Sequence, residues 1–286
     1  MTAFLSYLVS GLAIGCTYAL VASGFVAIHR VTRVVNFAQG AFPVLAGLTV
    51  SSMLGRGLPH GVAELIGICV AAAAGLVVGV VAIGKRGTPT LASLVITLGM
   101  GILAYALEIV VWGDQPVSYA MLTGSVGIGG ARLPHQYFLV IGVTVVTFVA
   151  LALFFTRTYV GKALSACASN PYAARLFGID PTRMGLVAFV LGGVLGGLAG
   201  VLITPLQPVA FDSDVLLATS GFAAAIFGGL NSAYAALVGG VVLGVLQAFV
   251  AGYIDAAYQT EVTLVLIILV MLYQSGRRSA LAEEVA

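Results

Sequence analysis

Charge is what this chain has least of. Lys and Arg number 12 and Asp and Glu 10 in 286 residues, so only 8% of its side chains are charged, about a third of the share in a soluble domain. So few ionised groups cannot cover an aqueous surface. That excludes a soluble enzyme, a nucleic-acid-binding domain and a disordered scaffold. A net charge of +2 is likewise too small for a polyanion-binding face. Cysteine is scarce too: Cys16, Cys69 and Cys167 make no CxxC and no paired framework, which excludes a disulfide scaffold. Cys16 and Cys69 lie in apolar runs and read as small packing residues. HExxH, GxSxG and Cys/His metal clusters are all missing, so neither a metal site nor a catalytic residue is expected. Met1–Ser6 carries no basic residue, and a cleaved signal peptide is not expected.

What the chain does have is apolar length, 60% hydrophobic residues together with 37 glycines. Stretches long enough to cross a bilayer recur at 5–28, 34–55, 61–84, 88–112, 136–155, 184–205, 215–230, 235–252 and 262–275. No polar block between them is long enough to fold alone. The sequence therefore predicts an all-α, polytopic integral membrane protein, one transmembrane domain over 1–286. Eight to ten spans are expected, nine by literal count. The run 215–230 is short, and 34–55 opens on polar Asn36-Phe37-Ala38-Gln39, so either suits a broken or re-entrant helix facing protein or a water-filled cavity. The pairs Gly11/Gly15, Gly75/Gly79, Gly192/Gly196, Gly196/Gly200 and Gly240/Gly244 predict helices whose backbones approach closely.

Charge placement orients the spans. Arg30, Arg33, Lys85, Arg86, Arg157, Lys162, Arg175, Arg183, Arg277 and Arg278 fall in segments 29–33, 84–87, 156–183 and 274–286. Arg56 and Arg132 fall on the other side, beside Glu64, Asp114, Asp212, Asp214, Asp255 and Glu261. By the positive-inside rule the first set is cytoplasmic, with the N-terminus outside and the C-terminus inside. Glu108 is the one ionisable residue deep within a proposed span. Four residues before Trp112, it is expected to reach the outer interface. A proton-coupled carrier usually keeps a carboxylate in mid-membrane and is poorly supported.

Two short motifs fail on context. Gly79-Val80-Val81-Ala82-Ile83-Gly84-Lys85-Arg86 has P-loop spacing, but Arg86 replaces the magnesium-binding hydroxyl and the stretch ends an apolar span. Asn170-Pro171-Tyr172 occurs once, in a basic loop, whereas a water facilitator needs two such signatures. In that loop, 156–183, Asn170 is a favoured N-cap, Pro171 a favoured first helical residue and Gly178 a favoured stop. Tyr172-Ala173-Ala174-Arg175-Leu176-Phe177 between them is predicted to be a short capped helix with exposed apolar groups. Such a helix either rests on lipid headgroups or docks a partner.

Gly11-Leu12-Ala13-Ile14-Gly15-Cys16-Thr17-Tyr18-Ala19-Leu20 and Asn36-Phe37-Ala38-Gln39-Gly40 resemble the opening of LivH-type permeases of branched-chain amino acid ABC importers. Gly161-Lys162-Ala163-Leu164, then Asn170 through Asp180, resembles their cytoplasmic coupling loop. Gly197-Leu198-Ala199-Gly200, Phe227-Gly228-Gly229-Leu230-Asn231-Ser232 and Leu237-Val238-Gly239-Gly240 fit the same pattern. Two departures, Gln39 where members often carry His and the ending Tyr273-Gln274-Ser275-Gly276-Arg277-Arg278, bear on the solute more than on the class.

The resemblance implies a non-enzymatic permease subunit in a bacterial cytoplasmic (inner) membrane, passing a small polar solute inward by alternating access. It implies a second, LivM-like permease, two cytoplasmic ATP-binding subunits that hold ATP and magnesium, and an extracytoplasmic solute-binding protein. This chain would need no cofactor of its own. Asn170, Pro171, Ala173, Ala174, Arg175, Leu176, Phe177 and Gly178 would then form the coupling helix. Asn36, Gln39 and Gly40 are the candidate pathway residues. The spacing of Asn36 and Gln39 puts them on one helix face and leaves open whether they line the pathway or pin a broken helix. A stand-alone secondary transporter or passive facilitator is the alternative reading, and a structural subunit without a pathway a more distant one.

The topology predicts the outcome of cysteine labelling in intact cells lacking the native thiols. An impermeant reagent modifies Thr2→Cys and spares Ser279→Cys.

Overall fold

The computed structural model describes residues 2–84, 88–128 and 130–283, with Ile128 and 273–283 described by backbone alone. Lys85 and Arg86 lie outside the described residues, as do the side chains of Arg277 and Arg278. The apolar runs form helices: α1 (Thr2–Thr32), α2 (Ala41–Gly55), α3 (Val62–Ile83), α4 (Thr90–Trp112), α5 (His135–Arg157), α8 (Pro181–Ile203), α9 (Ser213–Phe227), α10 (Ala233–Tyr253) and α11 (Gln259–Glu283). Two shorter helices, α6 (Tyr159–Ser169) and α7 (Pro171–Leu176), fill the basic loop.

Long-range contacts sort the helix ends into two sets. At one end His29 Nδ1 lies 3.4 Å from Leu230 O and Arg33 Nη2 donates to Ala168 O at 3.0 Å. A polar cleft lined by Thr32, Ile83, Thr90 and Thr182 gathers α1, α3, α4 and α8 there. At the opposite end Phe4 meets Phe249 and Tyr7 meets Tyr253. There too Trp112 Nε1 donates to Ser52 Oγ at 2.8 Å, and Tyr119 Oη to Val201 O at 2.9 Å. Helices α1 and α3 thus end at the first, and α2, α4, α8 and α10 end at the second. Among the described residues Arg30, Arg33, Arg157, Lys162, Arg175 and Arg183 all fall at the first.

Seven of these segments are long and apolar enough to cross a membrane, α2 being counted with the 3-10 turn Phe37–Gly40 that precedes it. The 15 residues of α9 reach about 22 Å at 1.5 Å each, short of a hydrocarbon core of about 30 Å. Of the two runs expected to suit a broken or re-entrant helix, 34–55 opens on a 3-10 turn, whereas 215–230 forms a continuous helix that is only short. One element departs from the all-α expectation. The loop 113–134 folds a hairpin, β1 (Ser125–Ile128) antiparallel to β2 (Ala131–Pro134), with Val126 opposite Leu133. Its short strands pair only with each other, so all-α still describes the fold.

The core centres on α1, which α5, α8, α9 and α10 surround. Its Tyr18, Leu20 and Phe25 are fully buried. Lipid tails are as apolar as Leu, so burial alone does not drive helices together; close packing must. The seam between α1 and α10 shows this. A Cβ on Gly244 would lie 2.3 Å from Gly15 Cα, and one on Gly15 would lie 2.7 Å from Gly240 O. The Gly11/Gly15 and Gly240/Gly244 pairs face each other across a single interface. Conversely α4 and α5 turn apolar side chains outward, Leu91, Val110 and Val146 among them, as a lipid-facing surface requires.

Gly244→Val is therefore expected to lower stability by about 1–3 kcal/mol or more, through overpacking against backbone that cannot yield. Gly142→Val, with no atom within 4 Å of its added Cβ, is the control. Thermal unfolding in detergent should show a lower midpoint for the first and no shift for the second.

Candidate functional site

After α1 the chain reverses at Arg33, in the left-handed region at φ 60°, and re-enters the protein as an extended segment. Asn36 ends that segment. Its Oδ1 accepts from Ala38 N at 3.2 Å and caps the 3-10 turn, while its Nδ2 donates to Gln39 Oε1 at 3.4 Å. Residues three apart eclipse on a 3-10 helix, which is why the two amides meet. Gln39 Nε2 then donates to Gly192 O of α8 at 3.0 Å. The slot that admits Gln39 exists because α1 and α8 offer glycine: a Cβ on Gly24 would lie 2.1 Å from Nε2, and one on Gly192 would lie 3.2 Å from Oε1. Both amides have no exposed surface. These bonds tie the break between α1 and α2 to α8. Gly40 differs. It borders an open cleft of about 420 Å³ between the 3-10 turn, α4 and α9, where an added Cβ would lie 2.1 Å from Asp214 O.

The second candidate, in the basic loop, has the local form its sequence predicts. Asn170 Oδ1 accepts from Tyr172 N and Ala173 N, both at 3.0 Å, with Pro171 opening the helix. At the other end Gly178 has φ 81°, Gly178 N donates to Arg175 O and Ile179 N to Ala174 O, both at 3.0 Å. That double bond across a left-handed glycine is a Schellman stop. Ala174 is buried and seats the helix, and Arg175 is exposed with the apolar side chains. Tyr172 is 72% exposed, Leu176 72% and Phe177 86%, with Tyr159 of α6 at 93%. On the buried stripe of α6, burial first and then the Asp180 charge push the Cys167 thiol up from its ordinary value.

The acidic residues correct the sequence reading. Glu108 does not reach the outer interface: it has no exposed surface, and neither carboxylate oxygen has a hydrogen-bond partner. The physical reason is packing that Trp112 alone does not reveal. Tyr105, one turn before Glu108, stacks edge-on with Phe211 at 5.1 Å, and Trp112 is tied to Ser52 of α2, so α2 and the 204–212 loop cover this face of α4. Asp214, read as a charge of the outer loops, is instead 8% exposed in the first turn of α9. The missed signal is the stripe Leu98, Gly101 and Tyr105, one face of α4, which lines the cleft beside Gly40 and which Glu108 continues by one turn.

The model of the family described as "Branched-chain amino acid transport system / permease component" matches residues 7–273. The chain is 28% identical to the high-affinity branched-chain amino acid transport system permease protein LivH of Escherichia coli K12, over 94% of this chain and 93% of that protein. It is 30% identical to the corresponding protein BraD of Pseudomonas aeruginosa, over 95% and 94%. The ribose import permease protein RbsC of Escherichia coli K12 is 26% identical over 82% of this chain and 72% of its own length. In fold, the chain is similar to a chain of PsaBC from Streptococcus pneumoniae in complex with Fab, with a TM-score of 0.51 at 14% identity, over 94% of this chain and 91% of that one.

Gln39→Leu keeps the volume and removes the donor to Gly192 and the acceptor for Asn36. It is expected to cost about 1–2 kcal/mol, the scale of an interhelical hydrogen bond in a membrane, read as a lowered unfolding midpoint in detergent.

Proposed function

Because the chain belongs to the family of branched-chain amino acid transport system permease components, we propose that it forms half of the membrane pathway of an ABC importer whose solute is a branched-chain amino acid or a metabolite of similar size. A second, LivM-like permease supplies the other half. Two cytoplasmic subunits bind ATP and magnesium and carry out the hydrolysis. A solute-binding protein delivers the solute at the outer face, where the connections 113–134, 204–212 and 254–258 lie. The basic end of the helices is cytoplasmic, so the N-terminus lies outside and the C-terminus inside.

One observation carries this reading further than kinship does: a six-residue helix capped at both ends holds Tyr172, Leu176 and Phe177 in the open at the basic end. Exposed groups of that size need a surface to cover them. A groove in an ATP-binding subunit provides one, and only Phe177, Gly178 and Ile179 separate α7 from the N-cap of α8, Asp180. Displacement of α7 by nucleotide-driven closure is thereby passed to the centre of the bundle. Of the candidate pathway residues, Gly40 borders the pathway, while Asn36 and Gln39 hold the broken helix that shapes it.

Leu176→Asp puts a charge on the docking face and leaves the caps and the spans intact. In membranes containing all subunits, it is expected to reduce uptake and co-purification of the ATP-binding subunits at least tenfold with undiminished insertion of this chain. Normal co-purification and uptake would leave α7 resting on lipid and remove the coupling assignment.

A further inference from the structure

The coupling helix and the pinned turn leave unused two carboxylates inside an apolar bundle. On α4, Glu108 is fully buried with both oxygens unpartnered. On α9, Asp214 is 92% buried by the same measure and its Oδ1 is unpartnered, though the Val215 amide serves the carboxylate. Tyr105, one turn before Glu108, shares the wall of one cleft with Asp214 and stacks on Phe211, three residues before it, which brings both carboxylates to the same region of the bundle. Among the described residues no Lys or Arg ion-pairs with either. A buried carboxylate without a partner costs several kcal/mol of lost hydration. Two side by side cost more, and packing gains nothing from them: Gln and Asn would fill the same volume without the charge.

Their surroundings state what is missing. Asp214 stands in the wall of the 420 Å³ cleft with Gly40, Ala218, Ile102 and Tyr105. That volume falls in the range of about 300–1,000 Å³ common to small-ligand sites. Apart from Asp214, the cleft walls are almost wholly apolar. Glu108 follows Tyr105 on the cleft-facing stripe of α4. A glycine at position 40 lets the turn and α9 approach beside the cleft until the Asp214 backbone O would lie 2.1 Å from an added Cβ. An apolar cleft with one buried carboxylate in its wall and a second one turn beyond its lining on α4 is complementary to a branched aliphatic chain that ends in a cation.

We propose that Glu108 and Asp214 form a subsite for the ammonium group of the amino acid in transit, with the cleft between α4, α9 and the Phe37–Gly40 turn receiving its aliphatic side chain. The inference rests on the proposed function above and names the contact by which the permease recognises its solute. A primary ammonium carries three N–H donors, enough for the unpartnered oxygens of both residues. Its hydration is replaced by two acceptors fixed in advance. The arriving solute also joins α4 to α9 through a shared ligand, so the cleft is held differently when loaded and when empty.

The test uses the purified complex of both permeases and both ATP-binding subunits, without the binding protein, and the fully assembled transporter in proteoliposomes. The probes are 3-methylbutan-1-amine, which has the branched chain and the ammonium, and 4-methylpentanoate, which has a branched chain and no ammonium. The amine is expected to raise the unfolding midpoint of the wild-type complex at millimolar concentration and the carboxylate to leave it unchanged. Glu108→Gln and Asp214→Asn should abolish the amine's shift and lower L-leucine uptake at least tenfold while the subunits still co-purify.

Uptake within twofold of wild type in both variants overturns the inference, as does a wild-type complex that responds equally to both probes or to neither. If the variants fail to assemble, the two probes on the wild-type complex still decide. A cationic side chain of the second permease seated on the pair would appear as no amine shift together with loss of that subunit on purification of Glu108→Gln, and would overturn it. A wild-type transporter that takes up no L-leucine defeats the proposed function and this inference together. Normal wild-type uptake with indifferent variants defeats this inference alone.

Discussion

Inside a bilayer every backbone N–H and C=O must find its partner within the protein, because no water is there to serve. A continuous helix meets that demand by itself; a broken one does not. This chain breaks its helical path between Thr32 and Phe37, at a point enclosed by other helices. Three side chains repair the break. Thr97 Oγ1 of α4 accepts from Phe37 N and donates toward Val35 O, both at 3.3 Å. Asn36 caps the new turn, and Gln39 ties it to α8. The glycines of α1 and α8 follow from this repair, since the Gln39 amide can enter only where two facing helices lack a Cβ. So does the cleft, which the turn borders.

The scarcity of charge made the fold class legible, since no aqueous surface can be assembled from so few ionised groups. The caps of α7 were legible residue by residue, because Asn170, Pro171 and Gly178 act on backbone within three positions of themselves. The spacing of Asn36 and Gln39 was equally visible, but their role was not. It depends on Gly24 and Gly192, which lie 15 residues before Gln39 and 153 after it in the chain, and no local pattern announces such a slot. Glu108 shows the limit most clearly. Trp112 does end α4, yet the aromatic stack of Tyr105 on Phe211 brings a distant loop across that face. A snorkelling side chain became a covered one for reasons contained in the other half of the sequence.

The two carboxylates and the capped helix lie toward opposite ends of the bundle, and different helices carry them. Glu108 and Asp214 belong to α4 and α9, whereas α7 leads into α8. The pinned turn touches all three systems: Gln39 bonds α8, Thr97 of α4 serves Phe37, and Gly40 abuts α9. A segment of four residues in a 3-10 turn is thereby the common neighbour of the helices that a transport cycle must move relative to one another.

The capping of α7 has a mechanical consequence. A six-residue helix held by propagation alone would fray, because nucleation is costly and few hydrogen bonds repay it. Pulled or pushed, it would dissipate the motion by unwinding. With the first N–H groups bonded to Asn170 and the last carbonyls bonded across Gly178, little slack remains at either end. Asp180, capping α8 through Thr182 N at 2.9 Å, stiffens the joint that follows. The segment is therefore stiff from Asn170 to Asp180, and whatever presses on its exposed face shifts it as one piece.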